Sequence, residues 1–288
     1  MPVHLLSPEV WSERERAHQE RVDAATAAHR ARRRSDRTHP IEDFLFTYYS
    51  HRPAQLRRWH PGAGIALEGA HREWKFYAEA GGASYVDVAE FVRERGDAVR
   101  FVRDLLGATL ARPAHLGCFG LHEWAMVYRL DEDQVRHAGW PLRLGSAGTD
   151  QVVESHTVRC SHYDAFRFFT PPARPLNTLV PQRDSQVAME QPGCLHAGMD
   201  VYKWAYKLTP VVPSELVMDC FDLAREIRQL DMEAAPYDLS ELGVQPVRIE
   251  TAEGKAAYVR RQRRHAERGQ VLRGRLLAVC ESVLEYAA

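Results

Sequence analysis

The run SELVMDCFDLAREIRQLDM, which follows Pro213, leaves little freedom in what it can become: Leu216, Cys220, Leu223, Ile227 and Leu230 recur at steps of four, three, four and three residues. Apolar positions at that spacing line one face of an α-helix, whereas a strand would alternate its faces every two residues. Cys220 lies within the stripe and is expected in the core. An amphipathic helix has to be covered, so the chain must supply other apolar helix faces.

Several stretches offer them. DVAEFVRERGDAVRFVRDLLGATLARP is expected to form two helices broken at Gly96, the second burying Val99, Val102, Leu105, Leu106 and Leu110. HPIEDFLFTYYSHRPAQLRRWHPG places Ile41, Phe44, Leu45 and Tyr48 at helical spacing, with a short second helix through Trp59. Ser7-Pro8-Glu9 has the cap, the first-turn proline and the first-turn acid of a helix start, and predicts a long helix from Pro8 to Arg33, too polar for core. Residues 254–286 are again helical in pattern. Between Gly62 and Val86, glycines interrupt IALEG and EWKFYAEAGGASYVDV, the pattern of a small antiparallel strand element. The fold class expected is mainly α (α+β with a minor antiparallel β element), as a single compact multi-helical domain. A polar basic helix occupies 1–38, the main globular part with the expected pocket 39–250, and a basic helical segment 251–288.

Composition narrows the class. With 288 residues, 45% hydrophobic and 27% charged, the chain can bury a sizeable core. No apolar run approaches the roughly 18 residues of a membrane span, so no membrane partner is expected. The start MPVHLLSPEVW lacks a basic segment followed by an apolar block, and a cytoplasmic location is the expectation. Five scattered cysteines fit reduced thiols better than a disulfide framework.

A formal net charge of −1 does not advertise a nucleic-acid surface. Two basic runs, HRARRRSDRTH over 29–39 and YVRRQRRHAERGQVLRGR over 258–275, leave open a non-enzymatic nucleic-acid binder acting through Arg260, Arg261, Arg263 and Arg264. Lysine occurs only at Lys75, Lys203, Lys207 and Lys255, so two of four ammonium groups fall in one short stretch, VYKWAYK.

Chemistry concentrates in three places: GCFGLHEW (Cys118, His122, Glu123), RCSHYDAF (Cys160, His162, Asp164) and GCLHAGMD (Cys194, His196, Asp200). Each offers a thiol, an imidazole and a carboxylate. If the chain is extended at both Cys-x-His pairs, Cys160, His162, Cys194 and His196 present four donors suited by type to zinc, with iron the other choice and His122 a further donor. HTVRCSHYDAF is β-like, and the long segment after it has the length of a functional loop. The chain is expected to bring the turns around His122, His162 and His196 together around one partly dry hollow.

Aromatic rings crowd the same segments. Phe166, Phe169 and Trp204 are read as core; Trp124, Tyr128, Tyr163 and Tyr202 are read as walls of a pocket for a flat base, with Arg167, Arg174 and Asn177 as polar contacts to it. Of the carboxylates, Asp164 or Asp200, with Glu123 third, could steady a cationic sugar, and Lys203 could offset its charge or act as an amine nucleophile.

The runs HPIEDFLFTYYSHRPAQLRRWHPG, LGCFGLHEWAMVYR, EQPGCLHAGMDVYKWAYKL and LDMEAAPYDL resemble a family of bacterial proteins labelled 3-methyladenine DNA glycosylase, over roughly Pro40 to Ala266. The resemblance implies an N-glycosylase that hydrolyses the base–sugar bond of an alkylated purine in DNA or a nucleoside, with no cofactor and a nucleic acid or nucleoside as its partner. The rival expectation is a zinc- or iron-dependent enzyme acting on a small molecule through the cysteine and histidine cluster.

Overall fold

The computed structural model describes residues 4–130 and 140–287. Its helices are α1 (Pro8–Arg34), α2 (Phe44–Tyr48), α3 (Pro53–Leu56), α4 (Val88–Leu110), α5 (Leu121–Ala125), α6 (Gly145–Glu154), α7 (Tyr163–Phe166), α8 (Gln186–Met189), α9 (Leu195–Lys207), α10 (Ser214–Glu233) and α11 (Ala252–Tyr286). The strands are β1 (His4–Leu6), β2 (Ile65–Glu68), β3 (Tyr77–Ala80) and β4 (Ala83–Val86). The class is mainly α with a minor β element, as the periodicities predict. Two compact units can be recognised: one comprises residues up to Gly107, Asp200–Arg225 and the residues from Val271, the other Ala108–Met199 and Glu226–Gln270.

In the first unit the sheet has the order β1-β2-β4-β3. The expected antiparallel element is present as β2, β4 and β3, but β1 adds to it in parallel, with Leu6 opposite Leu67. Three residues are too short to show a period, so β1 left no mark in the pattern. Leu6, Trp59, Leu67 and Ala70 form a core cluster against which Trp11 and Ile65 pack.

Two expectations need correction here. Helix α1 is not polar all round, since His18, Val22, Thr26 and His29 are buried. That stripe contains three polar side chains, which are acceptable inside because each is bonded: His18 Nε2 to the Leu56 carbonyl at 2.8 Å, Thr26 to the Val22 carbonyl at 2.8 Å, and His29 Nδ1 to Asp43 at 2.8 Å. Helix α4 does not break at Gly96. One glycine inside a helix costs only about 1 kcal/mol, and Phe91, Val99, Val102, Leu105 and Leu106 are buried on both sides of it.

In the second unit HTVRCSHYDAF is not a strand. It makes one bridge, Val158 with Asn177, and then turns into α7. A side chain replaces the missing neighbour strand: Asn177 Oδ1 accepts from the Cys160 amide at 2.7 Å and its Nδ2 donates to the Cys160 carbonyl at 2.9 Å. This doubly bonded amide fixes the backbone that leads into His162. Among the described residues no helix is long and apolar enough to cross a membrane.

Candidate functional site

Gly120, at φ 71°, turns the chain into α5, and a left-handed residue there is easiest for glycine. The short helix then buries His122, Glu123 and Trp124 together. His122 Nε2 lies 2.9 Å from Asp231 Oδ1 on α10. Arg228, one turn earlier on α10, donates to Asp231 Oδ2 at 2.8 Å and to Glu123 Oε1 at 3.1 Å. The imidazole of His196 on α9 meets that of His122 edge-on, with centroids 4.3 Å apart, and stacks on that of His162 at 5.3 Å. His162 Nδ1 accepts from the Ala165 amide, capping α7, and its Nε2 lies 3.7 Å from Glu190 Oε1. The three histidines thus come together, as the sequence led one to expect.

The cluster is dry. Asp231 is 0% exposed, His162 1%, Arg228 2% and His122 4%. Burial alone would depress the His122 imidazole, yet the facing Asp231 carboxylate, with help from Cys118 and Glu123, holds it well above its ordinary value. Burial pushes Asp231 the other way, but His122, His196 and Arg228 hold it far below the usual carboxylate range. The Cys118 side chain also interacts with the His122 imidazole.

His122, His196 and Asp231 offer ligand atoms that all lie within 4.8 Å of one another, and neither Cys160 nor Cys194 belongs to that group. Of the expected set Cys160, His162, Cys194 and His196, the two imidazoles stack on each other, while the two thiols are not among the ligand atoms that lie within 4.8 Å of one another. The reason is local. Cys194 lies just before α9 and His196 inside its first turn, so the Cys-x-His spacing runs into a helix and the two side chains diverge. Cys160 points its thiol at the His162 carbonyl, 3.6 Å away. Burial pushes the Cys160 thiol up to about 11 and the Cys194 thiol well above its ordinary value.

The other expected site residues have local settings of their own. Trp124 is 0% exposed and donates its indole N–H to the Ala234 carbonyl at 2.8 Å, a core role rather than a pocket wall. Tyr128 is buried with its hydroxyl on Glu154 at 2.8 Å. Tyr163 opens α7, half-buried, and Asp164 beside it faces exposed Arg167 at 3.4 Å. Arg174 is exposed, and its guanidinium reaches the Arg167 carbonyl at 3.4 Å. In the first unit, Asp200 accepts from the Tyr49 hydroxyl at 2.8 Å and pairs with Lys203, while Tyr202 is fully buried. The basic runs are partly neutralised at home: Arg32 by Asp43 and Glu42, Arg261 by Glu233, Arg268 by Glu226 and Arg275 by Asp219.

Arg228 and Asp231 are the functional candidates that the sequence reading missed. A signal was present: Val217, Phe221 and Ala224 form a second buried stripe on α10, and its continuation at helical spacing falls on 228 and 231. Ionisable residues in apolar positions mark a buried polar site. No protein family, no curated protein and no solved structure matches this chain.

Proposed function

We propose that the protein is a metal-dependent enzyme acting on a small molecule, with zinc or iron held by His122, His196 and Asp231. The observation that carries this reading is the convergence of two imidazoles and one carboxylate from three separate helices at a buried point. Ligand atoms about 2.1 Å from a tetrahedral ion lie about 3.4 Å apart, so the 2.9 Å between His122 and Asp231 is the hydrogen bond of the pair without an ion, and a small outward shift would admit one. An ion pair needs only those two residues. The edge-on approach of a second imidazole, His196, brings a third donor atom to the same point.

The surroundings supply what such a centre uses. Arg228 occupies Asp231 Oδ2 and leaves Oδ1 toward the histidines, and Cys118 steadies the His122 ring. Such partners orient ligands and tune their basicity. Three protein ligands leave coordination positions for water or substrate, the arrangement of hydrolytic zinc and oxygen-using iron sites. The base-excision reading calls for an accessible pocket walled by rings, and the fully buried, hydrogen-bonded Trp124 favours it less.

Elemental analysis of protein purified without chelator is expected to find about one zinc or iron per chain. His196→Ala and Asp231→Asn should bring this to background while circular dichroism reports an unchanged helix content. A wild-type chain that carries no stoichiometric metal and takes up none on titration with zinc, ferrous or cobaltous ion would remove the proposal.

A further inference from the structure

The second unit contains a cavity of about 200 Å³ whose lining includes Arg112, His115, Arg159, Ser161 and Gln191 and no aspartate or glutamate. We propose that this cavity binds an oxyanion, the carboxylate or phosphate group of the small-molecule substrate; the assignment to substrate rests on the metal-dependent reading above.

The charge is set by what the two guanidinium groups lack. Arg112 donates Nη1 to the Glu190 carbonyl at 2.8 Å, a neutral partner that leaves its positive charge uncancelled. Among the described residues neither Arg112 nor Arg159 pairs with a carboxylate. Burial and then the field of Arg159 push the His115 imidazole down, so the third basic group stays neutral and can serve as a hydrogen-bond partner. Two uncancelled guanidinium groups beside a serine form a set that suits a planar or tetrahedral oxyanion.

The walls are built rather than loose. Gln191 Oε1 accepts from the His115 amide at 2.8 Å and from the Gly193 amide at 2.7 Å, tying two rim segments together. A Cβ at Gly193 would fall 2.3 Å from the His115 carbonyl oxygen, so the two segments touch backbone to backbone. Preformed walls lower the ordering cost of binding. The volume is below the roughly 300 Å³ at which drug-sized pockets begin, which selects a single anionic group over a nucleobase with its sugar.

Position links the cavity to the histidine cluster. Ser161 lines the cavity while its chain neighbour His162 stacks on His196. The backbone at His162 is extended, at φ −96° and ψ 118°. Their Cα atoms are one peptide, about 3.8 Å, apart. An anion held at Ser161 is thus one residue along the chain from the histidine cluster.

Calorimetric titration of the full chain with inorganic phosphate and, separately, with acetate, against chloride at equal ionic strength, tests the assignment and tells the two oxyanions apart. One or both should bind the wild type. Arg159→Gln, an exposed position whose replacement leaves the fold alone, should weaken binding about tenfold, and Arg112→Gln at least as much. Absence of phosphate and acetate binding to the wild type beyond the chloride control would overturn the proposal, as would unchanged binding in Arg159→Gln. Metal analysis of the same samples separates the two readings: a chain that binds phosphate without carrying metal keeps the oxyanion site and loses the metal centre, while one that carries metal but binds neither anion does the reverse.

Discussion

Nε2 of His122 lies 2.9 Å from Oδ1 of Asp231 although 109 residues separate them in sequence, and Arg228 takes the other oxygen of the same carboxylate at 2.8 Å. Each Asp231 oxygen therefore has its own partner, and the carboxylate cannot swing without abandoning one. Arg228 also holds Glu123, so one guanidinium stands between two buried acids.

Replacing Arg228 by methionine keeps an unbranched apolar stem and removes the guanidinium that bridges the two acids. Two buried carboxylates would then lack it, and loss of one partner from a buried pair typically costs about 3–5 kcal/mol. Urea unfolding monitored by tryptophan fluorescence should show that loss as a lower midpoint. Adding Glu123→Gln to Arg228→Met should return part of it, because one stranded charge is gone; an equal or lower midpoint in the double variant would contradict the bridging role.

Two glycines beside the cluster should respond differently. At Gly193 a Cβ would press on the His115 carbonyl, so Gly193→Ala must move backbone and should cost about 1–3 kcal/mol. At Gly120 the nearest atom to a new Cβ is 3.5 Å away and only the left-handed φ is at issue, so Gly120→Ala should cost about 1 kcal/mol. Thermal unfolding of both variants checks the order. Gly193→Ala should also lower metal content, because the segment it displaces leads directly into α9 and His196.

How much of this was legible in the sequence depends on the range over which each signal acts. The stripe from Leu216 to Leu230 is a local signal, and α10 follows it. The proximity of His122, His162 and His196 was readable because each stood in a segment dense with thiols and carboxylates. Gly96 misled because its cost is small beside the apolar face that α4 buries on either side of it. The pairing of β1 with β2 links residues about sixty positions apart through three residues with no period of their own. Asp231 was overlooked because the stripe that holds it looks apolar until its last turn. The spacing of Cys194 and His196 says nothing of where α9 begins, and the helix starts between them.

Asp164 separates the two functional readings cheaply. It is partly exposed at the start of α7, with Arg167 3.4 Å away at the surface. Such pairs contribute little, so Asp164→Asn should change stability by less than about 0.5 kcal/mol and leave metal content untouched. Release of methylated base by the wild type, abolished in this variant, would instead favour the base-excision reading.

His51 should make the protein sensitive to acid. It is 8% exposed, stacked on Tyr206 with ring centroids 4.5 Å apart, and burial pushes its imidazole from 6.5 down to about 4. In the unfolded chain the same ring takes up its proton near 6.5, so between there and about 4 the unfolded state holds more protons than the folded one. The stability tied to the neutral ring is complete above 6.5 and falls as the pH drops through that window, by at most about 1.4 kcal/mol per pH unit. His51→Phe keeps a ring on Tyr206 and removes the titration. Urea midpoints measured at about pH 7 and about pH 5 should therefore fall less in the variant than in the wild type; equal falls in both would mean that His51 takes up its proton as readily in the folded chain as in the unfolded one.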